Sequence, residues 1–131
     1  MIVIDASAMT ELLLQTQLGF RVEERLFRDG DALHAPHLLD VEVVQALRRL
    51  ARAGEVPVNR AEDAVGDLVE FDLIRHQHVD LLDRAWALRD NVTAYDAVYI
   101  ALAEGLAATL VTCDGPLGGT SGHVARVEVI R

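Results

Sequence analysis

Asp5 and Asp114 each stand directly behind a short apolar run, Ile2-Val3-Ile4 in one case and Thr109-Leu110-Val111-Thr112 in the other, with Cys113 between. Runs of this kind form the strands of an open parallel sheet, and such sheets bind their ligands just outside the carboxyl ends of the strands. Asp96 is the only charged side chain between Val92 and Ala103, in a stretch otherwise made of Val, Thr, Ala, Tyr, Ile and Leu. Glu42 falls in a helical pattern whose apolar face is Leu39, Val43, Ala46, Leu47 and Leu50, and lies roughly 60 to 80° from the centre of that face. Two carboxylates at one sheet edge, a third on a buried helix and a fourth at a core border make a candidate cation site. Two like charges at about 4 Å repel by about 4 kcal/mol at an effective dielectric near 20. Gathering four therefore requires protonation or a cation. Oxygen-only ligands select hard ions, which points to Mg²⁺ or Mn²⁺ with waters retained and room for phosphate oxygens.

Each acid also has a plainer reading. Asp5 and Asp114 can accept backbone N–H bonds at strand-to-helix turns, and Thr93 with Asp96 has the spacing of a capping pair. Glu42 can be a solvated acid paired with Arg48 or Arg49. The company of the other acids favours the cation site. His76 and His78, two residues apart on one strand face, read as surface residues rather than zinc ligands.

The elements that must position these groups alternate. A strand at Ile2–Ile4 leads through Asp5-Ala6-Ser7 into a helix, and an amphipathic helix from about Phe20 to Phe27 stops at Gly30. Ala32 to Ala35 is a brief strand ended by Pro36, and the helix of His37 to Ala53 stops at Gly54. Asn59 and Glu62 resemble a capping pair for a helix reaching about Val69, and Leu73-Ile74 suggests a third strand. Asp80 to Arg89 is a helix closed by Asn91, and Thr93 opens the next, Ala94 to about Leu106. Thr109 to Thr112 is a strand, Gly115 to Gly122 a Gly-rich loop, and Val127 to Ile130 a last strand. Alternating strands and helices predict a three-layer α/β fold, a short central and mostly parallel sheet flanked by helices.

The chain has 131 residues, 51% hydrophobic and 25% charged, which fits a single globular domain over residues 1–131. Its apolar runs are too short to span a bilayer, and Met1 to Asp5 lacks the order of a secretory signal, so the expected location is cytoplasmic, with no membrane partner. One cysteine, Cys113, allows no internal disulfide and reads as a buried strand residue. The formal net charge of −9 argues against a broad basic nucleic-acid surface. All 12 basic residues are Arg, which removes any mechanism needing a lysine nucleophile or phosphate clamp.

Asp5-Ala6-Ser7 behind a first strand, Glu42 in the helix after the second, Thr93-Ala94-Tyr95-Asp96-Ala97-Val98-Tyr99-Ile100-Ala101-Leu102-Ala103 and Leu110-Val111-Thr112-Cys113-Asp114 together resemble the acidic motifs of PIN-domain ribonucleases, and within them the VapC-type toxins of bacterial toxin–antitoxin pairs. The resemblance spans essentially the whole chain. It implies that Asp5, Glu42, Asp96 and Asp114 are the catalytic, metal-binding acids, with the hydroxyls of Ser7, Thr93 and Thr112 orienting them or a water. It also implies Mg²⁺- or Mn²⁺-dependent hydrolysis of RNA, a homodimer, and inhibition by a small VapB-type antitoxin inserted into the acidic groove. Asp96 or Asp114 would be the general base. Related toxins often carry a basic residue after the last acid, whereas Gly115-Pro116-Leu117-Gly118-Gly119 is uncharged here. Arg48, Arg49, Arg52 and Arg89 are the candidates to contact RNA instead, although the first three also suit a solvated helix end.

Two other classes compete. A phosphoryl-transfer protein also places acids and Mg²⁺ at strand ends, but normally needs a Lys there and a doubled Asp where this chain has Asp5-Ala6-Ser7. A non-catalytic PIN-like binding module would not need all four acids. Leu12, Leu13, Leu14, Leu18 and Phe20 read as core rather than as a partner surface, and Trp86, Tyr95 and Tyr99 read as helix packing with no base-stacking platform.

Overall fold

A computed structural model describes residues 1–131. Five strands, β1 (Ile2–Ile4), β2 (Leu33–Pro36), β3 (Ile74–His76), β4 (Thr109–Thr112) and β5 (Arg126–Val129), pair in the order β3-β2-β1-β4-β5. Every pairing is parallel, so the sheet is wholly rather than mostly so. Ile2, Val3 and Ile4 are fully buried in the central strand, as expected of β-branched residues in a sheet covered on both faces.

The helices are α1 (Ala6–Leu14), α2 (Gln17–Phe27), α3 (Leu38–Arg52), α4 (Val58–Glu70), α5 (Leu82–Ala87) and α6 (Ala94–Leu106), with 3₁₀ turns at Val79–Leu81 and Gly115–Gly119. Helices α1 to α4 pack as one group, α5 and α6 as another, with α6 lying on β1, β2 and β4. The topology explains the division. The chain steps from β1 to β2 to β3 in one direction and then returns across β1 to reach β4. Crossovers between parallel strands are right-handed, so reversing the direction puts the returning helices on the opposite face. The chain leaves β1 and β4 in opposite directions, which opens a crevice outside their carboxyl ends. Asp5 and Asp114 stand at that crevice. The register is fixed by Val3 opposite Leu110 and Ile4 opposite Val111, and the Asp5 amide donates to the Val111 carbonyl at 3.2 Å.

Several expected boundaries move. The capping pair of Asn59 and Glu62 does not form: α4 starts after Pro57 with no side-chain cap, because the proline ring already fixes an extended turn into the helix. The helix expected over Asp80 to Arg89 divides into the 3₁₀ turn and α5, which the Leu88 amide closes before Asn91. The third strand runs to His76, further than Leu73-Ile74 suggested, and the last begins at Arg126. Only His76 of the two histidines lies in a strand, and its ring meets His34 of β2, Nε2 to Nδ1 2.8 Å apart. Trp86 and Tyr95 are not packed but 69% and 61% exposed; Tyr99 alone is core, 1% exposed. Of the early apolar cluster, Leu12 and Leu13 are buried while Phe20 is exposed.

Candidate active site

Asp5 forms the N-cap of α1, and its carboxylate is 5% exposed. Its Oδ1 accepts the Ser7 hydroxyl at 2.6 Å and the Ala8 amide at 3.0 Å, and its Oδ2 accepts the Thr112 hydroxyl. Both hydroxyls accept in turn from the backbone beyond β4: Ser7 Oγ from the Cys113 amide at 2.9 Å and Thr112 Oγ1 from the Asp114 amide at 2.9 Å. Two short relays therefore tie the turn that carries Asp114 to the carboxylate of Asp5. The capping reading of Asp5 is true and does not exhaust its role, since capping occupies one oxygen and leaves the Thr112 bond unexplained by helix formation.

Glu42 reaches the site from α3, where it is half-buried and accepts the Tyr99 hydroxyl at 2.6 Å. It pairs with neither Arg48 nor Arg49. Asp96 lies in the first turn of α6, half-buried rather than deeply so. Thr93 caps that helix by accepting the Asp96 amide at 3.2 Å, so its hydroxyl serves the helix start, whereas Ser7 and Thr112 serve Asp5.

All four acids line one open cleft of about 590 Å³. Burial is the largest influence on each shifted acid, and mutual repulsion adds to it. Burial pushes Asp5 above the usual carboxylate range, the Ser7, Thr112 and Ala8 donors pull it back, and Asp114 pushes it up again. Glu42 is raised by burial and by Asp5 against the Tyr99 bond. Asp96 is pushed up to about 6 by burial and by the charges of Asp114, Asp5 and Glu42, with Thr93 opposing. Tyr99 is held firmly protonated by burial and by donating to Glu42. Cys113 lies half-buried at the cleft, past β4 rather than in it. Burial and the charges of Asp5 and Glu11 push its thiol up to about 12, so it carries no thiolate near neutral pH.

The acids border the cleft without closing on a point: no three Asp, Glu, His or Cys side chains are placed to hold one ion together. Both Asp5 oxygens are engaged by donors. The donor set nonetheless fits Mg²⁺ or Mn²⁺, which takes oxygen ligands, keeps several waters and needs only one or two carboxylates directly. No histidine lines the cleft, and Cys113 is its only sulfur, which does not suit zinc.

Of the arginines named from sequence, Arg49 lines the cleft and Arg48 and Arg52 do not. Arg89 lines an adjoining groove that shares Asp96 and Asp114 with the cleft. Tyr99 is the site residue that sequence reasoning placed wrongly, as packing alone. A phenol three residues beyond Asp96, on the apolar side of the helix, was the available signal, because a buried tyrosine hydroxyl needs a partner and residue 99 shares a helix face with residue 96.

Residues 2–117 match the family model described as "PIN domain". The chain is 38% identical over 130 residues to "Ribonuclease VapC12" of Mycobacterium tuberculosis, covering 99% of each. Among solved structures it superimposes on PAE2754 from Pyrobaculum aerophilum with a TM-score of 0.70 at 25% identity, over 95% of this chain and 87% of that one. It matches Mycobacterium tuberculosis VapC20, described as a "Sarcin-Ricin loop cleaving toxin", with a TM-score of 0.69 at 16% identity over 95% and 97% of the two chains, a likeness of fold. The chain belongs to the PIN domain family.

Proposed function

We propose that this chain is a metal-dependent endoribonuclease that hydrolyses RNA phosphodiester bonds and serves as the toxin of a toxin–antitoxin pair. The observation that carries the reading is the meeting of Asp5, Glu42, Asp96 and Asp114 at one cleft, at the crevice between β1 and β4 where the sheet's connections diverge. The ribonuclease names borne by relatives such as VapC12 support it. A bound Mg²⁺ or Mn²⁺ would polarise a phosphate oxygen and lower the pKa of a water.

The chain's own residues do the rest. Asp5, held by Ser7 and Thr112, is the fixed ligand, and Glu42 is steadied by Tyr99. Asp96 and Asp114 border both the cleft and the adjoining groove, and one of the two would take the proton of the attacking water. Arg49 offers the cleft a positive charge for phosphate. With no lysine in the chain and no second Asp beside Asp5, the residues suit direct attack by water better than a phosphoryl-enzyme. A homodimer and a small antitoxin that covers the acidic groove complete the proposal. Purified protein should cut total cellular RNA with Mg²⁺ or Mn²⁺ and stop in EDTA. Metal binding without cleavage of any RNA would move the chain to the class of PIN-like binding modules.

A further inference from the structure

Trp86 stands on α5 with 69% of its surface in solvent. The Arg89 guanidinium lies 4.8 Å above the centre of its ring, and Arg89 Nη1 donates to the Trp86 carbonyl at 3.1 Å. A cation within about 6 Å of an indole face is attracted by the ring's quadrupole, which holds that pair together. Two grooves meet here. One holds Leu82 and Trp86, and shares Arg89, Val92 and Thr93 with the second; the second reaches Asp96 and Asp114. Arg89 is the only basic residue lining either groove. Arg84, its neighbour along the chain, is instead engaged with Glu104. A continuous path therefore runs from the candidate metal acids, past one cation without an acidic partner, to one exposed aromatic plate.

We infer that Trp86 and Arg89 form a subsite for one unpaired nucleotide of the RNA strand, with the base stacked on the exposed indole surface that Arg89 does not cover and its phosphate met by Arg89. The inference rests on the ribonuclease reading above and narrows it, since a base inside a duplex has no free face to offer. Stacking on an aromatic side chain is indifferent to base identity, so this subsite favours unpaired RNA without choosing its sequence. The occupant is RNA rather than a second copy of the chain because the path is continuous with the acidic cleft and its one cation suits a phosphate.

Trp86 is the only tryptophan, so its fluorescence reports on this site alone. A short single-stranded RNA of mixed sequence should quench it saturably, with wild type in EDTA and with Asp96→Asn in Mg²⁺, and the same sequence as a duplex should not. Trp86→Ala should raise KM for a single-stranded substrate by about 10-fold, the loss falling on KM rather than kcat, and Trp86→Phe should recover most of it. Arg89→Ala should lower the slope of log affinity against log salt by about 0.7. An RNA that the protein cuts while the fluorescence stays unchanged would overturn the subsite and leave the nuclease standing. Quenching without cleavage would retain the subsite and remove the nuclease. Quenching that follows protein concentration in the absence of RNA would show the groove to be covered by a second copy, and would also overturn the proposal.

Discussion

Asp5 is 5% exposed and receives two hydroxyls and an amide, whereas Asp96, half-buried on the same cleft, has only Thr93 acting in its favour and three other acids against it. The more deeply buried carboxylate is the better compensated one. A buried charge is tolerable when its oxygens are filled with donors, and the relays through Ser7 and Thr112 do that for Asp5 with groups drawn from the start of α1 and the end of β4. Asp96 is left to carry the unrelieved repulsion of the cleft. The difference assigns separate parts: Asp5 is fixed in place before any ligand arrives, and Asp96 is the group whose environment a cation would change most.

Removing the charge that carries the repulsion gives the largest effect on activity. Asp96→Asn should lower RNA cleavage by at least about 100-fold, measured as kcat/KM with Mg²⁺, since a metal's stabilisation of transition-state charge amounts to several kcal/mol. Thr112→Val tests the opposite side of the comparison. It takes one donor from the buried Asp5 and strands the Asp114 amide, and should destabilise the fold by roughly 2 kcal/mol in urea at neutral pH while slowing cleavage. A neutral result would mean that the relay is decorative. Tyr99→Phe should cost about 1 kcal/mol or less in the same assay, because the half-buried Glu42 can recover water, and should weaken metal binding more than it weakens folding.

The smallest effect is on stability against pH. The folded Asp96 titrates at about 6, above its ordinary 3.8, so between those values the folded protein binds more protons than the unfolded chain. The contribution of Asp96 to stability without metal should therefore be fully present below about pH 4 and be lost as pH rises through 6. Metal affinity should move the other way, tightening over the same interval, because a cation competes with the proton. A metal-free protein whose stability rises from pH 4 to 6 as much as that of Asp96→Asn would contradict the assignment.

The features legible in the sequence were those that one element declares by itself. The run Ile2 to Ile4, the apolar face of α3 ended by Gly54, and Thr93 before a helix apolar nearly all round each carry their own signal, and the structure places them where that signal indicated. Asp5, Asp96 and Asp114 were nameable as acids where an apolar pattern stops or is interrupted, and Glu42 only by the company of those three. What periodicity could not give was the partner across the fold. Glu42 meets Tyr99 across 57 positions and Asp5 meets Thr112 across 107, and those distances close only once β4 is set beside β1. Trp86 shows the reverse failure: its helical spacing suggested packing, but α5 lasts six residues and leaves the indole 69% exposed, with Arg89 over its ring.

A melting curve of the wild type and of Asp96→Asn, each with EDTA and with Mn²⁺ at pH 7, tests most directly whether these acids form a cation site. Without metal the variant should melt no lower than the wild type, and Mn²⁺ should raise the wild-type midpoint while leaving the variant nearly unmoved. A variant that melts several degrees lower in EDTA, with Mn²⁺ shifting both proteins equally, would show Asp96 to be a helix-capping acid and place any metal elsewhere.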